Sequence, residues 1–176
     1  NGSIDRGAGA HTLAFAGTGP SNATVGNAET ITGGSANETI TLATASSKGS
    51  VDLGGGSDKL ILDSAVNTIT VANTETIVGG GSVDTLTISS ALNGSVDLAG
   101  GNDIITLGDF ANTATVSGIE TIMGGSGADA ITLAAATPKA SINLGAGNDT
   151  LTLGNFTNSV SVVNVETVIG GTGNDT

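Results

Sequence analysis

The feature that most constrains the fold of this chain is an internal repeat of about 46 residues. The tripeptide Glu-Thr-Ile, or Glu-Thr-Val in the last copy, begins at Glu29, Glu75, Glu120 and Glu166, with spacings of 46, 45 and 46 residues. A glycine cluster follows each copy directly. Periods of this length are typical of arrays in which each unit buries its apolar surface only by stacking on its neighbours. The repeat therefore predicts a solenoid rather than a globule.

Each repeat contains two related halves. A second series of segments begins at Gly2, Gly49, Gly94 and Ala140, and each of these also runs into a glycine-rich turn. The residues after the turns alternate apolar side chains with Thr, as in the segment that starts at Asp149, and this alternation is typical of short strands with one buried face. We therefore predict one coil per half-repeat, of about 23 residues. A wider coil that holds both halves, with turns on opposite edges, is the alternative.

The fold predicted from these patterns is an all-β, right-handed parallel β-solenoid that resembles a β-roll or β-helix. The handedness follows from the general preference of parallel crossover connections. One solenoid segment is expected over residues 1–176, with repeats at 29–74, 75–119 and 120–165, and partial repeats at 1–28 and 166–176. Since both ends would then carry open strand edges, we expect an excerpt of a longer array that could associate with neighbouring repeats or with itself.

Composition agrees with a thin core and an acidic surface. The chain has three Phe and neither Trp nor Tyr, so the core must consist of Leu, Ile and Val. Sixteen Asp and Glu against four Lys and Arg give a net charge of −12, which argues against nucleic acid or an anionic membrane as a partner. No apolar run approaches the roughly 20 residues of a membrane-spanning helix, so we expect no membrane insertion. Cations are the expected partner.

The candidate metal ligands are the acids that end the glycine turns, together with glycines of those turns. Glycine permits positive φ and lets carbonyl oxygens converge, and a carboxylate adds the hard anionic oxygen that calcium prefers. Carboxylates repeated at about 5 Å along one edge would repel by roughly 1 kcal/mol per pair, and a divalent cation would remove that repulsion. The candidates are Asp58, Asp84, Asp103, Asp129, Asp149 and Asp175, with Glu38 as a weaker one, and the glycines Gly125, Gly127, Gly145, Gly147, Gly171 and Gly173.

Two of these turns match a known calcium-binding motif in full. The segments Gly124–Asp129 and Gly170–Asp175 have the sequence pattern G-G-x-G-x-D. On this motif the chain resembles the RTX (repeats-in-toxin) arrays of bacterial secreted proteins. The resemblance implies calcium held between turns of successive coils, type I export, and an extracellular place at the bacterial cell surface. Adhesins, S-layers, extracellular matrix filaments, toxins and secreted hydrolases are the implied parent proteins.

Calcium occupancy is expected to differ along the chain. If all glycine turns stack on one edge, the intervals bounded by Asp103, Asp129, Asp149 and Asp175 have an Asp on each side, so occupancy should grow toward the C-terminal half. The interval between the acid-free turn that ends at His11 and the turn that ends at Glu38 should be empty. The Glu-Thr-Ile glutamates are interpreted as a solvated strand face.

Three functional classes can be weighed from the sequence. A calcium-binding structural module is favoured, and the repeat domain of a secreted hydrolase or toxin is a less favoured version of it. Ice binding is the runner-up, since pairs of the form T-x-T occur at Thr39, Thr85 and Thr150. An enzyme is not expected, because catalysis needs unlike groups that converge, whereas the acids here form a translational row and His11 is the single histidine.

Overall fold

A computed structural model describes residues 2–15 and 17–176 of the chain. In these two ranges it contains strands but no helix, and accordingly no helix long and apolar enough to span a membrane. The strands are β1 (Gly2–Asp5), β2 (Thr12–Ala14), β3 (Ser21–Gly26), β4 (Thr30–Thr32), β5 (Glu38–Leu42), β6 (Ser47–Asp52), β7 (Lys59–Ile61), β8 (Asn67–Ala72), β9 (Thr76–Val78), β10 (Asp84–Ile88), β11 (Asn93–Asp97), β12 (Ile104–Thr106), β13 (Thr113–Ser117), β14 (Thr121–Met123), β15 (Ala130–Leu133), β16 (Pro138–Asn143), β17 (Thr150–Thr152), β18 (Ser159–Val163) and β19 (Thr167–Ile169).

The strands form two parallel sheets that the chain visits alternately. The odd-numbered strands make a 10-stranded sheet in chain order, and the even-numbered strands make a 9-stranded sheet, which we call the odd and even sheets. Every pairing is parallel, as between β9 and β11 or between β10 and β12. Two consecutive strands therefore complete one coil, and the protein is a parallel β-solenoid of about nine coils. The predicted fold class is confirmed at this level, while the right-handed coil stays a prediction.

The predicted coil length of about 23 residues is wrong. Paired positions lie 17 residues apart between Leu60 and Ile77, and 19 apart between Ile77 and Val96, and the coil averages about 19 residues. A 46-residue repeat therefore spans five strands, or two and a half coils, since Glu29 precedes β4 of the even sheet and Glu75 precedes β9 of the odd sheet. The alternative of one wide coil per repeat is wrong for the same reason.

A repeat of two and a half coils places equivalent turns alternately on the two edges of the solenoid. We call the edge where the chain enters the odd sheet the odd edge, and the other the even edge. The turns before Glu38 and Asp58 lie on the odd edge, and those before Asp84 and Asp103 lie on the even edge. The turns of Asp129 and Asp149 return to the odd edge, whereas that of Asp175 lies on the even edge. The expectation that all glycine turns stack on one edge is therefore wrong.

The core is a thin double layer of aliphatic side chains between the two sheets. In the described ranges, every buried apolar side chain is Ala, Val, Ile or Leu. Leu60, Leu86, Ile105 and Leu151 are fully buried, and each such side chain contributes about 2 kcal/mol by leaving water. Stacked rows of this kind hold the turns of neighbouring coils at strand spacing, which brings the turn acids together.

Candidate cation site on the two edges

The acids that end the glycine turns point into the solenoid rather than into solvent. Six of them are at most 2% exposed, namely Glu38, Asp58, Asp84, Asp103, Asp129 and Asp149. Each Asp accepts a backbone hydrogen bond from the coil before it. The N–H of Asp84 donates to Oδ1 of Asp103 at 2.7 Å, and the N–H of Asp129 donates to Oδ1 of Asp149 at 2.8 Å. The carboxylates thus continue the hydrogen-bond ladder at the place where each strand begins.

The glutamates of the Glu-Thr-Ile segments belong to the same ladder. Oε2 of Glu75 accepts the N–H of Asp58 at 2.7 Å, and Oε2 of Glu120 accepts the N–H of Asp103 at 2.8 Å. Both side chains are half-buried. The interpretation of Glu75 and Glu120 as part of a solvated strand face is therefore wrong, because a turn of only three residues sets each of them at the entrance to a strand instead of on its outer surface. Glu29 and Glu166 are exposed, although their Oε2 atoms also accept backbone N–H groups, from His11 and Asp149.

Three asparagines that the sequence analysis missed begin the ladders. Asn67, Asn112 and Asn158 are fully buried. The amide of Asn112 donates to the carbonyl of Phe110 and to Oδ1 of Asp129, both at 2.8 Å, and its Oδ1 accepts the N–H of Leu92 at 2.9 Å. The sequence did contain a pattern that could have identified these asparagines. They lie 45 and 46 residues apart, which is the repeat period, and each precedes a turn acid by 17 residues.

Each complete ladder therefore has the order Asn, Asp, Asp, Glu over four successive coils. We call the three acids of one ladder an acid cluster. Cluster 1 is Glu38, Asp58 and Glu75, preceded by Ser21 in place of Asn; cluster 2 is Asp84, Asp103 and Glu120, preceded by Asn67; cluster 3 is Asp129, Asp149 and Glu166, preceded by Asn112. Asn158 and Asp175 begin a further ladder on the even edge.

The second oxygen of each buried acid has no hydrogen-bond partner. These atoms are Oε1 of Glu38 and Oδ2 of Asp58, Asp84, Asp103, Asp129 and Asp149. An ionised oxygen that is buried without a partner is costly, and the cost is relieved only by a proton, a cation or a change of structure. The clusters are therefore regions where positive charge is stabilised.

The titration of these acids reflects the same environment. Burial raises the pKa of Asp103 to about 6; the N–H of Asp84 opposes the rise, and the carboxylates of Asp84 and Glu120 add to it. Burial also raises the pKa of Asp58, and that of Asp129, where the neighbouring Asp149 carboxylate adds to the rise. Burial is the first cause in all three, so the apolar interior as well as like charge favours the neutral form.

Backbone oxygens converge on the same turns. A Cβ placed on Gly101 would lie 2.6 Å from Oδ1 of Asp103 and 2.7 Å from the carbonyl oxygen of Ser82. A Cβ on Gly79 would lie 2.9 Å from Oδ2 of Asp84 and 3.0 Å from the carbonyl oxygen of Leu98. A side chain at either position would clash with these oxygens, so glycine is what allows the carboxylates and the turn backbone to lie this close together. Because carboxylate and carbonyl oxygens are the ligands of hard cations, the residues present fit calcium.

The predicted glycine ligands lie against backbone carbonyls of adjacent coils. Gly145 and Gly147 face the carbonyls of Gly125 and Gly127, and both have positive φ, 92° and 147°. Gly171 faces the carbonyl of Gly154. Gly127 and Gly173 face the carbonyls of Phe110 and Phe156. Close backbone stacking thus requires these glycines whether or not a cation is bound.

The structure changes which acids are neighbours. Asp103 and Asp129 lie on opposite edges, and so do Asp149 and Asp175, so the predicted intervals within these two pairs do not exist. The N–H of His11 donates to Oε2 of Glu29 at 2.7 Å on the even edge, away from Glu38, so the predicted His11–Glu38 interval does not exist either. Across residues 2–15 and 17–176, no three His, Cys, Asp or Glu side chains are grouped as a metal site.

No protein-family model, characterised protein or solved structure matches this chain. Function is therefore inferred from the acid clusters and from the motif that the sequence carries.

Proposed function

We propose that this chain is a non-catalytic, calcium-binding structural module of a bacterial secreted or cell-surface protein, such as an adhesin, an S-layer or an extracellular matrix filament. The observation that carries the proposal is three stacked pairs of buried acids, Glu38 with Asp58, Asp84 with Asp103 and Asp129 with Asp149, in which each acid has an unpartnered oxygen. The resemblance of Gly124–Asp129 and Gly170–Asp175 to the RTX motif supports calcium and an extracellular location. The repeat domain of a secreted hydrolase or toxin is a narrower version of the same function.

Calcium would be held between successive acids of a cluster. In cluster 2 the unpartnered oxygens of Asp84 and Asp103 would provide the anionic ligands, with turn carbonyls such as that of Ser82 as neutral ligands. The ion would supply positive charge to carboxylates that repel by roughly 1 kcal/mol per pair at about 5 Å in water, and by several kcal/mol in a drier site. Because the ion binds the folded chain and not the unfolded one, it would stiffen the solenoid.

A calcium titration tests this function. We expect calcium to raise the midpoint of thermal unfolding, followed by far-UV circular dichroism at low ionic strength, and excess chelator to lower it. A sodium chloride series at matched ionic strength separates ion binding from screening of the −12 net charge. Magnesium is the matched divalent control and should act more weakly, because it demands octahedral geometry and retains its water. An unfolding midpoint that is the same in calcium and in chelator would rule out the proposal.

Ice binding is the second candidate, and one observation favours it. Six hydroxyl-bearing residues are consecutive neighbours along one outer row of the even sheet: Thr12, Thr30, Ser50, Thr70, Thr87 and Thr106. The adjacent row is interrupted where Ile104 follows Thr85. We therefore expect no thermal hysteresis at millimolar protein, and a freezing-point gap with faceted ice crystals would favour this candidate over calcium binding.

A further inference from the structure

Neutral residues divide the acids on each edge into separate clusters. On the odd edge the coils between Glu75 and Asp129 place Leu92 and Asn112 in the column, and the N–H of Leu92 donates to Oδ1 of Asn112 at 2.9 Å. On the even edge the coil after Glu120 provides Thr137 at the corresponding place. On each edge, two consecutive coils that lack an acid at that edge thus separate one cluster from the next.

The asparagine closes each complete cluster on its N-terminal side. The amide of Asn67 donates to Oδ1 of Asp84 at 2.9 Å, as the amide of Asn112 does to Oδ1 of Asp129 at 2.8 Å. The same Oδ1 atoms accept the backbone N–H groups of these asparagines. The first acid of a cluster therefore already has neutral donors toward the preceding coil, and no cation is needed there.

The unpartnered oxygens belong to the other side, within the cluster. Asp129 and Asp149 are each 1% exposed and have a buried Oδ2 without a partner. Oδ2 of Asp129 points toward its own turn, since it lies 2.7 Å from the place that a Cβ on Gly124 would occupy. The carboxylate of Asp149 is the next acid in the ladder. The unpartnered Oδ2 of Asp129 thus faces its own turn, where Gly124 packs against the backbone of Leu144 in the following coil, and not the asparagine of the preceding coil.

We infer that divalent cations bind in separate groups, one group per 46-residue repeat, at clusters 1, 2 and 3, and that successive groups lie on opposite edges. This inference rests on the proposed calcium binding and adds its arrangement. Each cluster has two intervals between successive acids, and both include the middle residue, which is Asp58, Asp103 or Asp149. The middle Asp therefore controls its whole cluster, while clusters act independently of one another.

The number of calcium ions bound per chain tests this arrangement, measured by equilibrium dialysis at the lowest free calcium that saturates the wild type. Asparagine keeps an oxygen for the ladder but removes the charge. Asp103→Asn should lose about two ions and Asp84→Asn about one, and the double variant should lose no more than Asp103→Asn alone. Asp103→Asn combined with Asp149→Asn should lose about four, because their clusters are separate.

Asp97→Asn is the matched control, because Asp97 is exposed and the next repeat has Asn143 at the same place. It should bind as many ions as the wild type. If the losses of Asp103→Asn and Asp149→Asn overlap, or if Asp84→Asn and Asp103→Asn add fully, the separate clusters are wrong while calcium binding stands. A wild type that binds no calcium would overturn the proposed function and this inference together.

A measurement on the wild type covers the case in which a variant does not fold. Backbone amide signals followed by NMR during a calcium titration should shift in sets. Those of Asp84 and Asp103 should move with a common midpoint, while those of Leu92 and Thr137 should change least, because each of these two residues takes the place of an acid on its own edge of the solenoid. Equal shifts at Leu92 and at Asp103 would contradict the separation into clusters.

Discussion

The turns that deliver Asp84 and Asp129 differ in sequence but place their acids alike. Asp84 is 0% and Asp129 is 1% exposed, and each accepts hydrogen bonds from an asparagine of the preceding coil. Only the turn of Asp129 has the complete G-G-x-G-x-D pattern, because Ser82 stands where that turn has Gly127. The acid's position therefore does not depend on the third glycine.

The third glycine of the motif, Gly127, is required by the loop of the preceding coil on which it packs. The loop below Gly127 contains Phe110, whose N–H donates to the carbonyl of Gly108 at 2.7 Å, and the carbonyl of Phe110 faces Gly127. Phe156 and Gly173 repeat this arrangement. Below Ser82 the loop contains Ala65 instead, whose N–H donates to Oδ1 of Asp63. A complete motif thus indicates a phenylalanine loop beneath it.

Among the changes considered, exchanging the residues at positions 82 and 127 should have the largest effect on the free energy of unfolding. Gly127→Ser places a side chain against the carbonyl of Phe110, and we expect a loss of about 3 kcal/mol or more in the free energy of unfolding, measured with urea. Ser82→Gly is the reverse control and should cost about 1 kcal/mol or less. Equal tolerance of both single changes would contradict the packing explanation.

Removing the asparagine should affect both turns equally. Asn67→Ala and Asn112→Ala each delete three donated hydrogen bonds from a fully buried amide, and we expect about 2 kcal/mol of destabilisation in each case. The measurement is urea unfolding in chelator, which excludes any contribution from bound calcium. Ser21→Asn, which supplies the missing residue ahead of cluster 1, is the matched gain-of-interaction variant. A cost near zero for either alanine variant would show that the two turns are not equivalent.

In chelator, stability should fall as pH rises from about 4 to about 7. The folded-state pKa of Asp103 is about 6 against 3.8 for the free side chain, so the folded chain holds this proton more tightly than the unfolded chain. The stabilisation is complete below the unfolded value and is lost as pH rises through about 6; for Asp103 it is on the order of 2 kcal/mol. Asp58 and Asp129 shift in the same direction and should add to the slope.

Thermal unfolding at a series of pH values measures this slope. Saturating calcium should flatten it, and so should Asp103→Asn. Stability that rises with pH over this range in chelator would contradict the buried-acid description.

The smallest effect is expected at an exposed acid, which sets the background for the other comparisons. Oδ1 of Asp52 accepts the N–H of Gly54 at 3.1 Å and the amide of Asn73 at 2.8 Å. Asn143 makes the same two contacts, with Gly145 and Asn164. Asp52→Asn should therefore change the free energy of unfolding by less than about 0.5 kcal/mol. A larger change would mean that charge at this corner has a role that Asn143 does not share.

Much of the fold could be predicted from the sequence because local alternation agrees with the register. Ile40 and Leu42 alternate with Thr39 and Thr41, and the first pair is buried in the core as expected. The thin aliphatic core followed from the lack of large aromatic side chains, and it is confirmed. The candidate acids were identified as a set, although their true neighbours were not.

Coil length could not be read from the glycines, because one kind of turn has almost none. Asn27, Asn73 and Asn164 have positive φ values of 53°, 48° and 53°. Each of them begins a three-residue turn that ends in a glutamate. Asparagine tolerates this left-handed conformation, and Gly118 takes the same place in the remaining repeat at 59°. Counting only glycine turns therefore gave too few coils. The interchange of Asn and Gly two residues before each Glu was the available signal.

The half-integral number of coils per repeat has a consequence for how such a chain can change by duplication. Inserting or deleting a single copy of the 46-residue unit would turn everything after it by half a revolution, so that each downstream face would look in the opposite direction. Inserting two copies would restore the original facing and only lengthen the rod. A binding surface on this solenoid therefore keeps its direction after a paired duplication, whereas a single duplication makes the downstream part of it face the opposite way.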